Sequence, residues 1–398
     1  MAEEAKMVPK LRFKGFSEPW RQETPRKYLT ESRIPGTNGK TARKLTVKLW
    51  GKGIAEKTES YSGSEKTKYY IRKAGQLMYG KLDFLHQAFG IVPNRLDGYQ
   101  STLDSPAFDI SSEINSNFLL SEISRKEFYE RLGKIANGSR KAKRIHVDTF
   151  FDMPMVIPKI KEQNQISRII ETTNSAITLH EEKLEQLKAL KRGMLQDLFP
   201  DQGETTPVLR HEGFSDNWQR EKSKVLFKNI SQKGHPELPV LSATQKNGMV
   251  FRDDLDMDIK YDPTSLVGYK LVSPGNFIIS LRSFQGGFEL SDKKGIVSPA
   301  YTVFKFNVAC DHDLLYWKYF FKSYDFIESL KRVTFGIRDG KSISFSQFGA
   351  TKPCYPSKLE QQKIGVALER IDALLKLHEE KLLQLQKMKK FLLQNLFI

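Results

Sequence analysis

Cysteine is nearly missing: Cys310 and Cys354 are the only two in 398 residues, too few for a disulfide framework or a four-cysteine zinc site. No pair of histidines stands at metal-ligand spacing near them. Long apolar runs are missing too. No stretch approaches the roughly 18 apolar residues of a membrane span, and residues 1–10 carry charge where a secretory leader needs an apolar run. A cytoplasmic chain is expected.

Signatures of stand-alone catalysis are equally scarce. There is no glycine-rich dinucleotide fingerprint, no Asn-Pro-Pro-aromatic motif, no helicase loop and no nucleophile elbow. Gly36-Thr-Asn-Gly39-Lys40-Thr41 resembles the end of a phosphate-binding loop, but Ile34 stands where that motif needs glycine. Asp254, Asp256, Asp258 and Lys260 read as a solvated loop rather than a magnesium cluster. No catalytic residue and no metal site is expected, and the chain is not expected to be an enzyme by itself.

Acidic residues are outnumbered. Lys and Arg exceed Asp and Glu by 64 to 47, a formal charge of +17 that makes a polyanion the leading partner, with simple solubility as the plainer alternative. The length suits two domains, and a 39% hydrophobic content lets each bury a core.

Comparison of the chain with itself shows one recurring offset of 198 residues, the separation of Leu179 from Leu377. Pro9-Lys-Leu-Arg-Phe-Lys-Gly-Phe-Ser-Glu-Pro-Trp20 matches Pro207-Val-Leu-Arg-His-Glu-Gly-Phe-Ser-Asp-Asn-Trp218 in Leu, Arg, Gly, Phe, Ser and Trp. Leu179-His-Glu-Glu-Lys-Leu184 recurs unchanged as Leu377-His-Glu-Glu-Lys-Leu382. Glu162-Gln163 aligns with Glu360-Gln361, and Leu195-Gln-Asp-Leu-Phe199 with Leu393-Gln-Asn-Leu-Phe397. Between these anchors the halves diverge, although Ser105-Pro-Ala-Phe108 and Ser298-Pro-Ala-Tyr301 look equivalent at a shifted offset.

The constant segments carry heptad seams. Ile166, Ile170, Thr173, Ile177, His180, Leu184, Leu187, Lys191, Met194 and Leu198 alternate steps of four and three, and the second copy runs through Ile364, Leu368, Ile371, Leu375, His378, Leu382, Leu385, Lys389, Leu392 and Leu396. Helices of about 35 to 40 residues would be roughly 50 to 60 Å long. They are expected to pair, in antiparallel fashion, around an approximate two-fold axis. His180 and His378 either fix the register or are tolerated at a wet seam. Leu190, Leu195, Phe391 and Leu393 lie off the seam, to meet partner helices or to widen the pair.

The expected fold is therefore mixed α/β: two variable domains separated by two long helices that form an antiparallel coiled coil, pseudo-two-fold symmetric. The division is a first domain at residues 1–157, a helix at 158–199, a linker and second domain at 200–355, and a helix at 356–398. In the second domain, Tyr269 to Ser280 reads as two strands around a Pro-Gly turn, and Asp311 to Lys331 as a helix capped by Asp311. In the first, Ser116 is the expected cap of a helix through Lys134.

Taken together, the Gly-Phe-Ser-x-x-Trp openings, the Glu-Gln-x-x-Ile helix starts, the twin Leu-His-Glu-Glu-Lys-Leu cores and the Leu-Phe endings resemble the specificity subunit of type I restriction-modification systems. The likeness covers essentially the whole chain. It implies two target-recognition domains, each reading one half of a bipartite, asymmetric double-stranded DNA site, with the helices fixing the spacer. It also implies partners: two methyltransferase subunits carrying S-adenosylmethionine, and motor-nuclease subunits using ATP and Mg. This chain itself is expected to bind no cofactor. A DNA-independent coiled-coil adaptor is the competing reading.

Phosphate contacts need Lys or Arg, and base edges need matched polar side chains. The candidates in the first domain are Lys40, Arg43, Lys44, Lys81, His86, Gln87, Arg140, Lys141, Lys143 and Arg144. Those in the second are Lys246, Asn247, Arg282, Ser283, Gln285, Arg338 and Lys341. The central seam residues are Ile177, His180, Leu184, Leu187, Leu375, His378, Leu382 and Leu385.

Overall fold

A computed structural model describes residues 7–58, 64–134, 144–201, 203–244, 247–255, 263–280, 287–332 and 343–398. Two long helices, Ile160–Asp197 and Lys358–Asn395, have 38 residues each, about 57 Å at 1.5 Å per residue. The chain divides into two compact units, Met1–His180 with Lys381–Ile398, and Glu181–Glu380. Each long helix therefore contributes residues to both units.

In the first unit an antiparallel sheet runs in the order Leu29–Ser32, Ala107–Ile110, Leu77–Tyr79, Phe89–Ile91. Strand alternation gives it two apolar faces. Leu77, Tyr79, Phe89 and Phe108 join the main core with Phe118, Leu119, Ile123 and Phe128, whereas Met78 and Ala107 join a second cluster with Leu45, Val47, Ile54 and Tyr99. The second unit repeats the plan with Phe227–Ile230, Thr302–Phe306, Phe277–Ile279 and Phe288–Leu290. One face packs Phe227, Phe277 and Phe304 on Trp317 and Phe321, and the other packs Ile278 and Val303 on Leu241, Met249 and Val297.

The constant motifs bolt these sheets to the helices. Arg12 donates from Nε and Nη2 to the two carboxylate oxygens of Glu162, both at 2.8 Å, and from Nη2 to the Glu18 carbonyl at 2.6 Å. Arg210 does the same with Glu360, at 2.7 and 2.9 Å, and with the Asp216 carbonyl at 2.8 Å. The next residue is also duplicated in role. Gln163 accepts from the Asn115 amide and donates to the Pro158 carbonyl, and Gln361 accepts from the Asp313 amide and donates to the Pro356 carbonyl, all at 2.9 Å. The identity of Arg, Glu and Gln across two diverged halves thus has a local cause.

The helix ends are core residues. Leu392, Leu396 and Phe397 sit in the first unit's core with Trp20, Ile166 and Ile170. Leu198 and Phe199 sit in the second unit's core with Trp218, Ile364 and Leu368. Within each unit the opening turns of one long helix lie against the closing turns of the other, so the two run antiparallel there, and Lys191 pairs with Asp372. Along the seams Leu184, Leu187 and Leu385 are buried, while Ile177, His180, Leu375, His378 and Leu382 are half-buried. Off the seam, Leu195 and Leu393 pack against their unit's core, whereas Leu190 and Phe391 remain exposed.

Several local expectations shift. The helix placed from Ser116 through Lys134 is two helices, Ser116–Ile123 and Lys126–Gly133, broken where Arg125 turns inward to Glu122 at 2.9 Å. Its cap is Asn115, whose side-chain oxygen accepts from the amides of Asn117 and Phe118. The second unit's cap is Asp313 rather than Asp311, because Gln361 holds the Asp313 amide while its carboxylate accepts from Tyr316 at 2.8 Å. Asp311 instead ends a short 3-10 turn, and helices Leu314–Phe320 and Tyr324–Arg332 follow. The strands Lys270–Val272 and Phe277–Ile279 do flank the Pro-Gly turn, but they belong to different sheets. The two Ser-Pro-Ala segments are not equivalent: Phe108 pairs with Leu77 and Phe304 with Phe277, so Tyr301 lies three residues out of step.

Arg12→Ala should leave the buried Glu162 carboxylate without its partner, at a cost of about 3 kcal/mol. We expect it to lower the urea midpoint of the first unit's transition while leaving the second's unchanged, and Arg210→Ala to do the reverse. Unfolding monitored by hydrogen exchange in each unit checks this.

Candidate nucleic-acid interface

Lys40, Arg43 and Lys44 lead into one hairpin of the first unit, Leu45–Val47 with Ile54–Glu56. Leu45, Val47 and Ile54 turn inward to the second apolar cluster, which leaves the alternating positions and the connecting residues 48–53 outside. Lys48 closes the turn by donating its amide to the Gly53 carbonyl at 2.8 Å. Between Glu31 and Glu56 the sequence has six cations, Arg33, Lys40, Arg43, Lys44, Lys48 and Lys52, and no acid.

Aromatic rings order two of these cations. The Arg43 guanidinium lies 4.2 Å from the Tyr99 ring centre and donates to the Tyr99 hydroxyl, and the Lys44 ammonium stands 5.7 Å from the Tyr69 ring. Lys40 reaches Glu65 instead, in an exposed ion pair that contributes little by itself. Nearby, Gly36 leaves room for Gln100, whose Oε1 accepts from the Thr37 amide at 2.7 Å. A Cβ at Gly36 would stand 2.3 Å from that oxygen, and the segment is a strand, Pro35–Asn38, not a phosphate loop.

A second group gathers around the turn Phe84–His86. Gln87, at φ 54°, donates from Nε2 to the Ser124 carbonyl at 2.7 Å. The exposed His86 ring stands edge-on to Trp50, centroids 5.4 Å apart. A third group centres on Asp104. Its carbonyl accepts from the Lys81 amide at 2.9 Å, and its carboxylate lies 3.6 Å from Arg144 Nε. Burial pushes the Lys81 ammonium below its ordinary range, opposed by the charges of Glu31 and Asp104.

One buried cation belongs to the scaffold. Arg72 donates to the Ser101 hydroxyl and to the carbonyls of Ser32, Thr102 and Ser105, joining three segments. Burial pushes its guanidinium down to about 10, so it stays charged at neutral pH.

In the second unit, Asn247 is exposed at the turn between strands Leu241–Thr244 and Gly248–Phe251, and its amide donates to the Thr244 hydroxyl at 3.0 Å. Arg140, Lys141, Lys143, Lys246, Arg282, Ser283, Gln285, Arg338 and Lys341 lie outside the described residues. Sequence reasoning passed over Tyr69, Tyr99, Lys48, Lys52 and Trp50. Lys48-Leu-Trp-Gly-Lys-Gly53 carried the available signal, a turn rich in glycine with an aromatic between two lysines. Among the described residues no cluster of three His, Cys, Asp or Glu side chains could hold a metal ion.

No protein-family profile matches the sequence, and no curated protein matches it. Among solved structures, the S subunit of a type I restriction-modification system from M. genitalium is similar over 98% of this chain and 99% of its own, at 13% identity and a TM-score of 0.62. The chain shares that fold. The HsdS subunit from Thermoanaerobacter tengcongensis aligns over 96% of this chain and 98% of its own, also at 13% identity, with a TM-score of 0.45. A structure from work on complex assembly and conformational transition of the type I R-M system aligns over 96% and 99%, at 13% identity and a TM-score of 0.47.

Gly36→Ala should displace Gln100 from Thr37 and cost the first unit about 1–3 kcal/mol, the range for leaving a buried polar group unsatisfied. Thermal unfolding checks it, and adding Gln100→Ala to the same chain should recover part of the loss.

Proposed function

We propose that the chain is the DNA sequence-specificity subunit of a type I restriction-modification enzyme and is itself non-catalytic. The observation that carries this reading is the fold shared with an S subunit along nearly the full length of both chains. Each unit reads one half of a bipartite, asymmetric double-stranded DNA site, and the long helices set the spacer between the halves. Arg43, Lys44, Lys40, Lys81 and Arg144 face phosphates. His86, Gln87 and Asn247 lie where base edges are read.

Partner docking is supported by a different set of residues. Leu179 and Leu377, the same position in the two copies of Leu-His-Glu-Glu-Lys-Leu, are 65% and 60% exposed. Leu190 and Phe391 add apolar surface on the same helices. An exposed leucine kept twice in diverged halves fits two copies of one partner, the methyltransferase subunits. S-adenosylmethionine, and ATP with Mg, belong to those and to the restriction motor-nuclease subunits, working in the cytoplasm.

Selection of bound duplexes from a random pool should return two fixed half-sites around a degenerate spacer. Binding should weaken with salt at a logarithmic slope of about 0.9 per neutralised phosphate, and Arg43→Gln with Lys44→Gln should lower that slope by about one for every phosphate left without its cation. A DNA-independent adaptor would select nothing and show no slope. Removing one heptad from the middle of both long helices shortens the rod by about 10 Å. The selected spacer should lose about three base pairs while the half-sites stay the same. Altered half-sites would reject the division of labour.

A further inference from the structure

Two non-glycine residues among the described ones have positive φ, Trp50 at 60° and Gln87 at 54°, and they stand back to back. The Trp50 amide donates to the His86 carbonyl at 2.8 Å, and the Gly51 amide to the Gln87 carbonyl at 3.0 Å. A bulky aromatic in the left-handed region is strained and persists only where its surroundings hold it. Here the hydrogen bonds hold the backbone, and the ring is left outside, 59% exposed, whereas Trp20, Trp218 and Trp317 are 2%, 3% and 0% exposed. The ring's direction is restricted on one side by its contact with His86.

Strained backbone of this kind gathers at functional positions. We propose that Trp50 is a wedge that enters the base stack of duplex DNA in the half-site read by the first unit and unstacks one base step. This rests on the reading of the chain as a DNA specificity subunit. Two features select a nucleic acid over a protein as the occupant. The exposed Lys48 and Lys52 flank the ring within the acid-free stretch from residue 32 to 55, so phosphates on either side of an opened step meet opposite charge. Next to the ring are its chain neighbour Leu49, which is exposed, and the imidazole of His86, whose Nδ1 lies 3.7 Å from the Asp83 carboxylate; the leucine and the two rings form the apolar part of the tip, suited to insertion between bases. Because the backbone is held before binding, insertion costs little further ordering.

The second unit's hairpin, Leu241–Thr244 with Gly248–Phe251, is connected by Gln245-Lys246-Asn247 and has no aromatic there. The aromatic tip is thus peculiar to the first unit's hairpin.

The test uses the full-length chain and its selected duplex, with 2-aminopurine placed in turn at each adenine. One position in the first unit's half-site should brighten several-fold on binding, and tryptophan emission should fall, a signal that belongs to the one exposed tryptophan. Trp50→Phe should keep partial brightening, while Trp50→Ala should lose it and bind about tenfold more weakly with an unchanged salt slope. Trp50→Gly should lose brightening without lowering the melting temperature, since glycine accepts this φ without strain. Binding by the unsubstituted chain with no brightening overturns the wedge and leaves the specificity reading standing, and so does quenching without brightening. Absence of salt-dependent duplex binding overturns both.

Discussion

A carboxylate buried at the foot of each long helix sets the terms for everything attached to it. Glu162 and Glu360 are 2% and 1% exposed, and an uncompensated charge in such a place is too costly to keep. Only an arginine can satisfy both oxygens at once in a fixed plane, and in each unit it comes from the segment that opens that half of the chain. Apolar packing between a sheet and a helix tolerates sliding and rotation; a bidentate ion pair does not. The adjoining glutamines hold the cap residue of the first domain helix, so one turn of long helix orients both the start of the domain and the helix across its sheet.

The second constraint is that neither half closes on itself. Leu11 donates its amide to the Asn395 carbonyl, and Leu209 to the Asp197 carbonyl, each at 2.8 Å. Each opening segment is thus held by the start of one long helix and the end of the other. Phe397 completes the first unit's core beside Phe118, at 5.3 Å, and Phe199 completes the second beside Tyr316, at 5.6 Å. Each unit thus combines the opening turns of its own long helix with the closing turns of the other. The long-range character of these contacts also means that the first unit cannot finish folding until Leu392, Leu396 and Phe397 have been made.

Much of this was legible because duplication supplies its own alignment. The heptad steps, the paired Glu-Gln and the Leu-Phe endings stood at one offset, and two copies of a weak pattern outweigh either alone. What stayed hidden depends on partners distant in sequence. Asn115 and Ser116 are both able caps, and the choice is settled by Gln163, 48 residues away. Nothing local marks Arg125 as the break in the helix expected from Ser116 to Lys134, yet its side chain is buried against Glu122 and Phe397. Ser-Pro-Ala misled because strand register is set by pairing across the sheet, not by identity along the chain. Arg43 was legible as a cation, but its stacking partner Tyr99 lies 56 residues further on. At the hairpin, charge was readable while conformation was not, since a tryptophan at positive φ goes against local propensity and is imposed by the Phe84–His86 turn beneath it.

The residues common to both halves finally separate into two kinds, and the separation says which surfaces serve the fold and which do not. Arg12 and Arg210, Glu162 and Glu360, Trp20 and Trp218, and Phe199 and Phe397 are accounted for by contacts inside their own unit. Leu179 and Leu377 are not: each is exposed between half-buried seam residues, and an exposed leucine adds nothing to a helix that a polar residue would not. Identity at two exposed positions is what the proposed docking of one partner at two places would use. The hairpin tips behave in the opposite way, differing in length, charge and aromatic content between the halves. A molecule that had to meet one partner at two places and two dissimilar targets at two others would divide its surface along this line, sameness on the rods and difference at the hairpins.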